Sequence, residues 1–395
     1  MPKARFFFLN IGHSIDHLFM LMFPAVAALA AVDLSSEYGD VLRLATGSFI
    51  AFGICSLPMG WLADRLSREF MISVFFIGMG VSMFFIGLSQ EIWHFICSLT
   101  LMGVFAAIYH PVGLAMVSQG GGDVGRRLGV NGVWGNMGVA ASALSIGLFA
   151  DYAGWREAFF LVGLASVGLG LGWIRIVKTT DLEIKSSAKK SVNPSRNWQK
   201  VLLVVAITAT VGGFIFNSMT VSLPKVLDDT LSGFAMSSTE VGAIASVVYA
   251  LAAFTQIVVG NAIDKFRIKP IFLAFVAAQA VFLYLASFTN GWLMVLISLV
   301  IMVLVFGQIP INDTLIARYT PDTWRGRVYS VKYVLTFTVS AAVVPSIAWL
   351  YDDSGGFTLM FTLSAIAALI ITVAVLAMPR GQKPVASLAS EGDDD

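Results

Sequence analysis

The sequence predicts an all-α membrane protein: twelve transmembrane helices in two pseudo-symmetric six-helix bundles. Three observations carry that expectation. First, 57% of the 395 residues are hydrophobic and only 12% are charged, with a mean hydropathy of +0.82. A soluble domain has no use for so much apolar surface. Second, apolar runs of about 20 residues recur along the chain, the length that crosses a hydrocarbon core. Third, the chain repeats itself at an offset of 200 residues. Gly60-Trp61-Leu62-Ala63-Asp64-Arg65 aligns with Gly260-Asn261-Ala262-Ile263-Asp264-Lys265, Pro24 with Pro224, Arg127 with Arg327, and His17 with Asn217. One offset matching four separate places implies two related bundles of parallel topology, with a solute path between them near the midplane.

The same composition excludes other classes. A net charge of +1 gives no field for nucleic acid. Cys55 and Cys97 lie in apolar runs and predict free thiols, with no disulfide framework. Gly163-x4-Gly168-x-Gly170-x-Gly172 sits inside a hydrophobic span, where glycines serve close helix packing. Gly120-Gly121-Gly122 is a flexible loop that lacks the lysine and strand context of a phosphate loop. No cofactor, no enzyme activity, no ATP-driven pumping and no obligatory protein partner are therefore expected.

In chain order the spans are expected at 6–31, 42–62, 70–88, 93–116, 128–150, 157–176, 201–223, 241–263, 270–288, 292–314, 328–349 and 357–378. Residues 1–176 form the first bundle, 177–200 a polar linker, 201–378 the second bundle and 379–395 a disordered tail. The loops alternate in charge, and one side holds 21 of the 25 Lys and Arg residues. By the positive-inside rule that side is cytoplasmic, which puts both termini inside a cell (inner) membrane. Lys3 and Arg5 before an apolar run also fit a cleaved signal peptide. That reading is rejected, because ionisable residues interrupt the run and the repeat makes the first span the counterpart of the seventh.

The first span carries the chemistry. Asn10, His13, Asp16 and His17 fall on one helical stripe, and ionisable groups at membrane depth are costly unless they face partners or water. The alternatives are a polar seam between helices and a proton relay, since histidine changes charge near neutral pH and a carboxylate tunes where. At about 1.5 Å per residue His13 lies roughly 10 Å deep and His17 roughly 16 Å, and His110, near the end of span 4, lies roughly 10 Å deep.

The loop after span 2, Gly60-Trp61-Leu62-Ala63-Asp64-Arg65-Leu66-Ser67-Arg68-Glu69, resembles the G-x-L-A-D-R-x-G-R-R signature of the major facilitator superfamily. Ser67 replaces the second glycine and Glu69 the final basic residue. Gly154-Trp155-Arg156-Glu157-Ala158-Phe159 resembles the family's G-W-R-x-x-F stretch, and Arg325-Gly326-Arg327 its R-G-R loop. The His-containing first span, Ala107-Ile108-Tyr109-His110-Pro111-Val112-Gly113 and Gly132-Val133-Trp134-Gly135-Asn136-Met137-Gly138 look like the fosmidomycin-resistance-like branch.

The resemblance implies a carrier working by alternating access, with spans 1, 4, 7 and 10 around a central cavity, and efflux of a drug or metabolite. A cytoplasmic gate is expected at Gly60, Asp64, Arg65, Arg68, Arg127, Asp264, Lys265 and Arg327, and the resemblance assigns to Asp64 the role of holding that side closed. Asp16, His17, His13 and His110 become the proton-coupling residues. Asn10, Tyr109, Asn136, Asn217, Gln308 and Asn312 are expected along the substrate cavity, with protons, a small-molecule substrate and the bilayer as partners. Asp313 is expected either to face the cavity or to sit at the rim beside Arg318. Lys332 is expected to snorkel to the interface, with a counter-charge for an anionic solute as the alternative. Two other functions stay open. His13, Asp16, His17 and His110 have the ligand types for a divalent metal or metal complex, and H-x-x-D-H is similar to a metallopeptidase helix. A membrane sensor or enzyme without transport is the third.

Overall fold

The computed structural model describes residues 2–117, 124–179, 197–320 and 322–379. Among these residues twelve segments are long and apolar enough to cross a membrane, and the fold is all-helical. The helices are α1 (Lys3–Asp33), α2 (Tyr38–Arg43), α3 (Thr46–Leu66), α4 (Arg68–Leu88), α5 (Ile92–Ala106), α6 (Leu114–Val117), α7 (Val124–Tyr152) and α8 (Trp155–Thr179). They continue as α9 (Trp198–Leu231), α10 (Ser238–Ala253), α11 (Thr255–Lys265), α12 (Ile268–Ala286), α13 (Gly291–Tyr319), α14 (Asp322–Ser354) and α15 (Thr358–Ala377). Several run well past the expected spans; α9 goes eight residues beyond 223 and α14 begins six before 328. Hydropathy marks only the lipid-immersed part of a helix, and nothing in Lys225–Leu231 breaks the backbone pattern. The expected linker and tail fall almost wholly outside the described residues.

Sequence chemistry sets the joints. Ser67 separates α3 from α4 at φ +123° and ψ +147°, a region that favours glycine. The same residue caps α4, its hydroxyl accepting from Phe70 N–H at 3.1 Å. This is the position where the family signature has glycine, so the backbone demands one residue type and the cap another. Ser237 and Glu240 form a reciprocal capping box at the start of α10. Glu91 and His94 do the same for α5.

α1 packs along α7, α4 along α8 and α12 along α15. Contacts between the two halves of the sequence run through α7 with α10 and α14 with α3. The α7–α10 crossing is close: a Cβ on Gly242 would meet the Ala143 carbonyl oxygen.

The bundle has two faces, one carrying both ends of the helical array and one far from them. The far face is tied shut. Arg43 Nη2 donates to Asp352 Oδ2 at 2.8 Å and Nη1 to Asp40 Oδ1 at 2.6 Å. Beside them the Tyr38 and Tyr351 rings meet at 4.8 Å, and Tyr351 O–H donates to Asp229 Oδ2 at 3.1 Å. Across the other seam Thr239 N–H donates to Asp151 Oδ2 at 2.7 Å and its hydroxyl to the Gly147 carbonyl at 3.0 Å.

Candidate functional site

A cavity of about 1640 Å³ lies between the halves of the sequence. One wall presents His13, Asp16, His17, His110 and Asn136; the other presents Asn217, Thr220, Gln308, Asn312 and Thr336. It extends to Gly60, Trp61 and Arg68 on one side and Gly260 and Asn261 on the other. The cavity thus reaches the terminal face, opposite the tied one.

The ionisable cluster is assembled by two local devices. The first is proline chemistry. Pro111 has no N–H, so it cannot continue the helical ladder, and Tyr109–Gly113 widens into a π-helical turn. Such turns reposition side chains at functional sites, and here the turn carries His110. The second device is the close approach of α1 and α7. A Cβ on Gly138 would strike the Ser14 carbonyl oxygen, and one on Gly135 would stand 2.8 Å from the His13 ring. Ser14 seals the seam by donating to the Trp134 carbonyl at 2.5 Å.

The four predicted residues come together. His110 Nε2 stands 3.2 Å from Asp16 Oδ2. Ring centroids are 5.0 Å apart for His13 and His17, 5.3 Å for His13 and His110, and 5.6 Å for His17 and His110. Asp16 is 1% exposed and His13 7%, whereas His17 and His110 are partly open to the cavity. His13 Nδ1–H donates to the Asn131 carbonyl at 2.7 Å. A carbonyl only accepts, so the proton is on Nδ1 and the lone pair on Nε2.

Asn131 is the residue sequence reasoning missed. It is fully buried and donates to Asn10 Oδ1 at 3.0 Å and to the Tyr109 hydroxyl at 2.9 Å. That hydroxyl in turn donates to the Leu9 carbonyl at 2.6 Å, while the Tyr109 ring stacks on His13 at 5.0 Å. An amide directly before Gly132 in an apolar helix was the available signal. Asn10 and Tyr109 accordingly do not line the cavity, contrary to expectation. Their polar atoms are consumed in this buried seam between α1, α7 and the π turn.

The opposite wall is amide-rich. Gln308 Nε2 donates to Gln279 Oε1 at 2.8 Å, Thr208 Oγ1 to Asn312 Oδ1 at 2.7 Å, and Asn217 Nδ2 to Ser340 Oγ at 2.8 Å. Gln279, Thr208 and Ser340 were not foreseen either. Asn136 lines the cavity, and its buried Nδ2 has no hydrogen-bond partner among the described residues.

Lys332 does not snorkel. It forms an ion pair with Asp313 at the cavity wall, and Arg318 instead donates to the Ile263 carbonyl at 3.0 Å. The Asp313 carboxylate on the preceding helix, α13, holds the Lys332 ammonium there. At the expected gate, the Arg65 guanidinium lies 3.7 Å over the Trp61 ring, Arg127 Nε donates to the Val117 carbonyl at 3.1 Å, and Lys265 is exposed. The side chains of Asp64, Asp264 and Arg327 lie outside the described residues.

The chain is similar to known transport proteins. It is 24% identical over 329 residues to the "Multidrug resistance protein MdtG" of Salmonella schwarzengrund, covering 80% of each chain. It is 30% identical over 145 residues to the "Tetracenomycin C resistance and export protein" of Streptomyces glaucescens, a match spanning 35% of this chain and 27% of that protein. Among solved structures, a D-xylose–proton symporter superposes with a TM-score of 0.76 at 12% identity, over 96% of this chain and 98% of that one. A bacterial homologue of the lysosomal transporter Spinster, captured inward-facing and unoccupied, gives 0.73 at 13% identity, over 95% and 98%. At these identities the structural likeness speaks for the fold. The profile described as Major Facilitator Superfamily matches residues 9–233 and 226–393. With matches over nearly its whole length and a twelve-helix fold around one large cavity, this chain belongs to the Major Facilitator Superfamily.

Proposed function

We propose that the chain is a secondary carrier that expels a drug-like or metabolite molecule from the cell in exchange for protons, by alternating access. The observation that carries this reading is the cavity itself. It is tied shut on the far face, reaches the terminal face, and gathers four ionisable side chains on one wall. The excess of Lys and Arg in terminal-side loops argues that this face is cytoplasmic, so the state described is open inward. Family membership supports transport rather than catalysis or sensing. The named resistance and export relatives support outward movement of an organic solute.

Asp16 and His17 are the proton carriers in this reading, with His13 and His110 tuning them. Protonation drives transport only if it changes the balance between the two open states or the affinity for solute. Asp16 meets that condition by position: it is fully buried, and its neighbour His110 sits on the π turn, a break in the regular helical ladder. The gate residues Gly60, Asp64, Arg65 and Arg68, with Arg127, Asp264, Lys265 and Arg327, would close the terminal face when the far face opens.

The test is proton flux in proteoliposomes holding wild type, Asp16→Asn or His17→Ala, with an imposed pH gradient and a panel of organic solutes. Solute-driven proton flux in wild type, abolished by Asp16→Asn, is the expected result. Solute movement without proton flux, unchanged in both variants, would replace the exchanger with a uniporter.

A further inference from the structure

The chain has four histidines, and three of them meet at one point. The ligand nitrogens of His13, His17 and His110 all lie within 4.8 Å of one another. The fourth, His94, is spent on the capping box of α5. The convergence is not a packing convenience. Imidazoles and a carboxylate gathered at bilayer depth cost free energy until something satisfies them.

Two details of the cluster select what that something is. His13 is fixed by its Nδ1–H bond to the Asn131 carbonyl. Its Nε2, which carries the lone pair, is buried and has no hydrogen-bond partner among the described residues. Metal-binding histidines are held in this way, with the outer N–H on a backbone carbonyl and the other nitrogen presented to the ion. Asp16 Oδ1, equally buried, also lacks a hydrogen-bond partner among the described residues and supplies a negative charge when ionised.

We infer that His13, His17 and His110, with Asp16 beside them, form a site for a first-row divalent transition metal on the cavity wall. Bonds of about 2.0–2.1 Å to imidazole nitrogen set the nitrogens roughly 3.4 Å apart in a tetrahedron. The rings must therefore close from 4.8 Å by a distance that side-chain rotations cover. Three imidazoles suit zinc, copper, nickel and iron(II), and the site lacks the oxygen-rich shell that calcium or magnesium needs. His17 and His110 line the cavity, so the remaining coordination position opens into it.

That opening names a ligand class. A cavity of about 1640 Å³ is far larger than a bare ion requires. Its opposite wall offers amides and hydroxyls, such as Asn217, Gln308 and Thr336, which suit an organic molecule. The matching cargo is a small organic chelator carrying its metal, with the ion held by the histidines and the chelator by the amide wall. This rests on the transporter reading but is tested apart from it.

The experiment uses full-length protein with a tag free of histidine, stripped of metal in detergent and titrated with Co²⁺ alone. The visible ligand-field absorption is read, followed by its displacement with Zn²⁺. Wild type and His94→Ala should bind one ion with an intense tetrahedral band. His17→Ala and His110→Ala should each weaken binding by more than about tenfold at an unchanged melting profile, and His13→Ala should weaken it as much with some loss of stability, because its buried ring also holds the Asn131 carbonyl. Adding bipyridine to the loaded protein should shift the band without releasing the ion. No band in wild type, or equal binding in all variants, overturns the site. A band that reverts to that of the free bipyridine complex overturns the open position and with it the chelate cargo. Absent Co²⁺ binding alongside intact solute-driven proton flux removes only this inference. Co²⁺ binding without any solute-driven flux removes the transporter reading and leaves the site standing.

Discussion

Arg43 Nη2 and Asp352 Oδ2 stand 2.8 Å apart although 309 positions separate them in sequence. They join the start of the second span to the end of the eleventh, so the far face opens only when this pair parts. Both side chains are about a third exposed, and a pair of that kind contributes at most about 1 kcal/mol. Asp352→Asn should therefore raise the far-open population up to roughly fivefold. Labelling from the far side of a cysteine placed at Tyr38, in a chain without Cys55 and Cys97, measures it. Unchanged labelling would show that the α7–α10 seam holds the face without this pair.

The α3–α4 joint makes a second prediction. Ser67 occupies backbone space that glycine enters freely, at a strain cost of about 1–3 kcal/mol. Replacing a serine cap by glycine loses only a few tenths of a kcal/mol. Ser67→Gly should stabilise the protein, by about 1–2 kcal/mol, as a higher melting temperature in detergent. Ser67→Ala, which keeps the strain and loses the cap, should do the reverse.

A third concerns the seam that positions His13. Gly138→Ala pushes a methyl group into the Ser14 backbone, which cannot swing aside, at a cost of about 1–3 kcal/mol. Gly168→Ala meets nothing within 4 Å and should leave the melting temperature unchanged or slightly raised. Equal effects of the two would mean that α1 and α7 tolerate separation.

Lys332 and Asp313 supply a fourth. Removing either charge deprives the other of this ion pair in a half-enclosed cavity, whereas removing both does not. Lys332→Met and Asp313→Asn should each lower thermal stability, and the double variant should sit above the sum of their losses. Additive losses would show that the pair is not coupled.

Pro111 gives the last. Pro111→Ala restores an N–H and lets the π turn relax to a regular helix, which rotates His110 away from Asp16. Stability should hold or rise, since proline inside a helix costs about 3 kcal/mol. Solute-driven proton flux should fall. A variant that transports normally would place the coupling elsewhere than the Asp16–His110 contact.

The path from sequence to site was uneven for physical reasons. Twelve spans and the convergence of His13, Asp16, His17 and His110 were legible, because apolar run length and helical stripe follow from short-range periodicity. The π turn was not, although Tyr109-His110-Pro111 contains its cause: a proline in a membrane helix yields a kink or a widened turn according to what packs beside it. Asn131 was hidden for a related reason. One amide in an apolar helix is informative only when its neighbours are known, and those neighbours are Leu9, Asn10, His13 and Tyr109 on other helices. Asn10 and Tyr109 were misplaced by the same gap, since a stripe says which way a residue faces on its own helix and not which helix covers it.

Two sets of helices in this fold differ sharply in length. α4, α12 and α15 have 21, 19 and 20 residues, or about 28–32 Å, and α12 and α15 turn Val281, Tyr284, Ile370 and Val373 outward. α1, α9 and α14 have 31, 34 and 33 residues, about 46–51 Å, far more than a hydrocarbon core of about 30 Å. The short outer helices are therefore the ones that register bilayer thickness, and a thicker or thinner membrane strains them first. The long helices α1, α9 and α14, which carry His13, Asp16, His17, Asn217 and Thr336 of the cavity wall, project beyond the lipid at their ends. Their tilt is set by neighbouring protein, so the solute pathway is mechanically insulated from the membrane in which it works.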